Sequence, residues 1–166
     1  MKKKYKVLLA GSILVNVVLI ITLIAGYLQW SQVHETVYLA DVQWRLVELD
    51  GVILDQREDD WSKPDLVVTK LDSVLDGLRG ANEIARGSHW LSRAEEKRLQ
   101  RLEAALQMFP HNESYGFVEI TKRDQEAFEG LQLKLEEAGI AMGGMMSDDW
   151  DAFMEKSERL VRLLEE

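Results

Sequence analysis

The sequence predicts an all-α protein: a single N-terminal transmembrane helix continuing into an extracytoplasmic helical bundle of about five helices. Three observations carry this prediction. A lysine-rich start leads into a charge-free run, Val7–Tyr27. Beyond it, apolar residues recur every three or four positions, the spacing of one helix face. Capping residues and glycines divide that pattern into segments.

The membrane segment comes first. A helix needs roughly 20 apolar residues to cross the hydrocarbon layer, and the 21 residues of Val7–Tyr27 are interrupted only by Gly11, Ser12, Asn16, Thr22 and Gly26. Lys2, Lys3, Lys4 and Lys6 define a cytoplasmic tail over 1–6 by the positive-inside rule, and Tyr27 and Trp30 suit the far interface. This places 28–166 outside the cell membrane. A cleaved signal peptide has a shorter apolar core, about 7–15 residues, ending in small residues. Cleavage after Ala25 or Gly26 would instead set Leu23 or Ile24 three residues back. An uncleaved signal anchor therefore fits best.

Next comes a helix carrying two apolar rows: Trp30, Val33, Val37, Ala40, Trp44 and Val47, and beside it Leu39, Val42, Leu46, Leu49 and Ile53. So broad a face needs cover on two sides, which a bundle provides. The first row continues back in phase through Asn16 and Ser12. Gln56–Pro64 breaks the pattern. Ser62 with Asp65 predicts a cap, and Trp61 with Leu66 a hydrophobic staple, for a second helix. Its inner row is Val67, Leu71, Val74, Leu78, Ala81 and Ala85. Gly77, Gly80 and Gly87 in that helix imply close packing or an early end. Ser92 and Glu95 form a capping box for a third helix with Leu99, Leu102, Leu106 and Phe109 inside. Thr121 and Asp124 open a fourth with Phe128, Leu131 and Leu135, ended by Gly139. Ser147 is expected to cap the last helix, with Trp150, Phe153, Ser157, Leu160 and Leu164 on its inner row.

Composition limits the function classes. The chain has 166 residues, 46% hydrophobic and 30% charged, with 2 prolines and no cysteine. That supports one compact domain plus an accessory segment and excludes collagen-like, disulfide-rich and wholly disordered classes. With the four N-terminal lysines set aside, 16 basic residues face 29 acidic ones, a net charge of −13. Nucleic-acid binding is disfavoured on that balance.

No catalytic or cofactor motif appears. His34, His89 and His111 lie too far apart in sequence for any zinc spacing, and no phosphate-binding, dinucleotide or nucleophile-elbow motif occurs. The acidic clusters Glu58-Asp59-Asp60 and Asp148-Asp149-Asp151 lack the order of a calcium loop and sit where acidic side chains complement helix N-termini. No enzyme activity, cofactor or metal is expected.

Contacts are where the sequence speaks. Asn16, in mid-membrane and in phase with Ser12, Trp30, Val33 and Val37, suits a homodimer seam, docking of a neighbouring membrane protein, or a bond to its own backbone. Arg93, Lys97 and Arg101 recur every four residues, as a partner surface or a solvated face of ion pairs. Met142, Met145 and Met146 around Gly143-Gly144 fit an adaptable partner surface or core filling. The expected role is a non-enzymatic, membrane-anchored interaction, scaffolding or regulatory module at the cell envelope, partnered by an envelope protein or a second copy. The alternative is a ligand-sensing ectodomain that signals through a membrane partner.

Overall fold

The computed structural model describes the backbone of 2–88, 91–112, 119–144 and 149–166. Side chains are described within those ranges except for 2–10, 27–40, 84–85 and 87–88. All regular structure there is helical: α1 (Lys2–Glu58), α2 (Asp65–Ser88), α3 (Arg93–Leu106), α4 (Lys122–Ala138) and α5 (Trp150–Glu165). The chain divides into two units, Met1–Glu35 and Thr36–Glu166.

In the first unit, every Ile, Leu and Val between positions 13 and 24 is 46% to 65% exposed. Among the described residues no helix is long and apolar enough to cross a membrane, so the expected span over 7–27 is not borne out. The described side chains in this part of α1 are those of 11–26, short of the roughly 20 residues a span requires.

The second unit is a helical bundle built on the C-terminal part of α1. Leu46, Leu49 and Ile53 are fully buried and Val42 nearly so, so the second predicted row is the core-facing one. The first row fares differently: Val47 is buried, but Trp44 is 50% exposed. The inner rows of α2 (Val67, Leu71, Val74, Leu78), α3 (Leu99, Leu102, Leu106), α4 (Phe128, Leu131, Leu135) and α5 (Phe153, Leu160) are buried as their spacing predicts.

The order of packing follows from pairwise contacts. α3 lies against α2 and α5, and α4 against α5. Lys70 of α2 reaches Glu48 of α1 at 2.9 Å, and Gln132 of α4 donates to Asp50 of α1 at 3.0 Å. α1 also meets α2 where Arg45 donates to the Ser73 hydroxyl at 2.6 Å and its carbonyl at 3.1 Å. A Cβ on Gly77 would stand 3.0 Å from Arg45 Cδ; this glycine makes room for the arginine. α2 runs on through Gly77 and Gly80 to Ser88.

Three local expectations are corrected. Ser62 does not act as the predicted cap; its hydroxyl donates to Asp59. Trp61 leaves Leu66 exposed, packs instead on Phe128 at 6.3 Å between ring centroids, and donates its indole N–H to Glu129 at 3.0 Å. α5 is capped by Asp149, whose carboxylate accepts from the Ala152 amide at 3.3 Å; Ser147 lies outside the described residues. Elsewhere the predicted boxes form: Ser92 with Glu95 and Thr121 with Asp124 bond reciprocally. Gly139 ends α4 at φ +80°.

The end of α1 is strained. The Trp61 amide donates to the Gln56 carbonyl at 2.7 Å, a six-residue closure that requires left-handed backbone just before it. Asp60 (φ 55°) and Trp61 (φ 57°) both adopt it without being glycine. We therefore expect Asp60→Gly to stabilise the bundle by about 0.5–1 kcal/mol, measured by chemical denaturation; a loss of stability would show that Asp60 makes compensating contacts. In α5, the Ser157 hydroxyl is fully buried and has no hydrogen-bond partner among the described residues. Ser157→Ala should raise stability by about 1 kcal/mol, read by the same method.

Candidate functional site

The residues singled out by sequence separate in space. The Asn16 amide donates to the Ser12 carbonyl one turn back at 2.8 Å, and Thr22 does likewise to Val18 at 2.8 Å. Of the roles open to Asn16, the bond to its own backbone is therefore present. The side chains of Trp30, Val33 and Val37, and residues Met145 and Met146, lie outside those described.

Of the α3 stripe, Arg101 is engaged by α5, as is its neighbour Arg98. Arg101 reaches Glu165 at 2.8 Å and Glu158 at 3.3 Å, and Arg98 reaches Glu158 at 3.4 Å. The Glu165 carboxylate, through its hydrogen bond and its charge, holds the Arg101 guanidinium above its ordinary pKa. Arg86 pairs with Glu96 at 3.0 Å. Arg93 and Lys97 are exposed at the start of the same helix. The stripe is thus divided: Arg101 sits in solvated ion pairs, which contribute little, and Arg93 and Lys97 are two exposed cations toward its N-terminal end.

Met142 belongs to a different feature. A half-open cleft of about 550 Å³ lies between α1, α4 and the loop after α4. Its floor is Asp50, only 2% exposed, with Gln132 beside it. One Asp50 oxygen accepts from Gln132 at 3.0 Å, and the other from the backbone amide of Met142 at 2.9 Å. The carboxylate thereby fastens the glycine-methionine loop to the bundle. Gly51 matters to this closure, because a Cβ there would lie 2.7 Å from the Met142 sulfur. Leu133 and Met142, 58% and 67% exposed, stand on the cleft, and Arg57 and Glu136 add charge to its lining.

Sequence reasoning found Met142 and missed Asp50 and Gln132. A signal was present: Gln43, Asp50 and Gln56 fall at near-heptad spacing on the buried side of α1, polar interruptions in an apolar row. The cost of burying such groups unpaired makes them conspicuous.

Comparison with protein-family models, curated proteins and solved structures finds no match to this chain. The site therefore has to be read from its own chemistry. Among the described residues no group of three or more His, Asp or Glu side chains is placed to hold a metal ion.

A second polar contact ties the bundle's ends. The Trp150 indole donates to Glu95 at 2.6 Å, joining α5 to the capping box of α3. Burial alone would raise the Glu95 pKa, but hydrogen bonds from Ser92 and Trp150 outweigh it and hold the carboxyl below its ordinary value of 4.5. A carboxyl depressed in the folded state stabilises the fold above its unfolded pKa and loses that contribution as pH falls through the folded one. Trp150→Phe removes one of those donors. Its melting temperature should trail the wild type at neutral pH, with the gap narrowing below about pH 4.5; a pH-independent gap would assign the loss to packing alone.

Proposed function

We propose that this chain is a non-enzymatic, membrane-anchored module whose helical bundle binds a protein partner at the cell envelope. Residues 7–27 form the anchor, the lysine-rich tail stays cytoplasmic, and the bundle is extracytoplasmic. The observation that carries this reading is the exposed apolar run of α1. Between 13 and 24 the Ile, Leu and Val side chains are open all around the helix. Soluble monomers rarely leave so large an apolar surface to water; lipid is the solvent that suits it.

The polar residues of the run support the same reading. Asn16 and Thr22 each satisfy a side-chain donor on a carbonyl of their own helix, as hydrocarbon surroundings demand. A wet surface would make no such demand. On the bundle, Arg93 and Lys97 offer the partner two exposed cations on an otherwise acidic domain.

The absence of cysteine from the sequence makes the topology directly measurable. A Glu166→Cys variant should react with a membrane-impermeant maleimide on intact cells, and a Lys3→Cys variant only after lysis. The protein should stay in the membrane pellet through alkaline carbonate. Release into the supernatant, or labelling of Lys3→Cys on intact cells, would overturn the anchor. A photo-cross-linker at Lys97 should yield a heterologous adduct in membranes; a monomer free of adducts would overturn the partner role.

A further inference from the structure

We propose that the cleft at Asp50 binds a small zwitterion with an apolar side chain, an α-amino acid or dipeptide, whose ammonium group supplies the positive charge that Asp50 lacks. The inference goes beyond the anchoring role and does not rest on it. It gives a ligand-sensing ectodomain a specific site.

The starting point is an imbalance of charge. Asp50 is buried, yet its partners are two neutral donors, the Gln132 amide and the Met142 backbone. Among the described residues no Lys, Arg or His lies within ion-pair distance of it. Burying a carboxylate without a cation is costly. Other carboxylates of the bundle, Glu48, Glu103 and Glu158, have basic partners. Asp50 differs from them in being deeper and in opening on a cleft.

The rest of the lining fixes the class of ligand. The cleft's volume lies within the range of small-molecule sites. Leu54, Leu133 and Met142 provide apolar surface, and the thioether adapts to varied shapes. Arg57 follows Asp50 by seven residues, two turns along one face of α1. It has no ion pair among the described residues. An ammonium on Asp50 and a carboxylate on Arg57 would each meet an opposite charge. Glu136, also in the lining, disfavours a dianion.

The test is calorimetric titration of the full chain in detergent micelles with leucyl-leucine, its N-acetyl derivative and its C-terminal amide. Leucyl-leucine should bind saturably with one site per chain. Removing the ammonium charge by acetylation should weaken binding at least about tenfold. Amidation, and Arg57→Gln, should each weaken it severalfold, without adding when combined. Leu133→Lys places a cation on an exposed part of the rim; it should abolish binding with the melting temperature unchanged. Asp50→Asn should abolish binding while the chain stays folded. If that variant fails to fold, Leu133→Lys decides. No saturable heat at millimolar dipeptide, equal affinity for the acetylated peptide, or full affinity in Leu133→Lys would overturn the site and leave Asp50 as a loop fastener.

Discussion

The second unit depends on covering the buried face of α1. Val42, Leu46, Leu49 and Ile53 are all but inaccessible to water, and each such side chain contributes about 1.5–3 kcal/mol by its removal from water. No single neighbouring helix can cover a face of that width. α2 and α4 both have to dock on it, and the connections that bring them there are dictated accordingly. The ion pairs that decorate these contacts are partly exposed and contribute far less. Burial holds the helices together; polar contacts decide their register. Arg45 on Ser73 and Gln132 on Asp50 each fix one neighbour at one height along α1.

The price of closing this arrangement is concentrated at the α1–α2 connection. Two consecutive left-handed residues, one of them a tryptophan, are unfavourable in isolation. They persist because Trp61 is held from the far side. Its ring meets Phe128, which in turn stacks with Phe109 at 5.8 Å, and its indole N–H is taken by Glu129. The strained turn therefore borrows stability from α4 and from the segment after α3. Local sequence rules miss such a turn because the contact that stabilises it spans 68 residues.

What the sequence made legible follows the same division. Rows of Leu and Val at helical spacing identified the buried faces of α2, α3, α4 and α5, since hydrophobic periodicity depends on local geometry alone. The boxes at Ser92–Glu95 and Thr121–Asp124 were readable for the same reason. Ser62 looked like a cap by type and spacing, but Asp59 and Gln56 compete for that turn: Asp59 takes the Ser62 hydroxyl and Gln56 the Lys63 amide. Trp44 looked like part of a seam, yet periodicity cannot tell which of two adjoining rows faces the core. The Asp50 cleft was illegible as a site, because Gln132 and Met142 come to it from 82 and 92 residues away. Only the oddity of polar residues on an apolar face pointed there.

Charge in this bundle is arranged contrary to what stability alone would favour. Arg98 and Arg101 of α3 are paired with carboxylates of α5, although such pairs contribute little in water. Asp50, where a cation would matter most, has two neutral donors and no ion pair among the described residues. A core selected only for packing would replace this aspartate with a neutral or apolar side chain, since buried charges are commonly neutral or harmful to stability. The Gly51 beside it, which makes room for Met142, and the glycine-rich loop above it belong to the same construction. A buried acid, a backbone amide fixed on it, and the Met142 thioether in the same lining form a polar floor with an apolar wall. That combination costs the fold stability at one place, and it is this cost that the proposed binding of a positively charged group would offset.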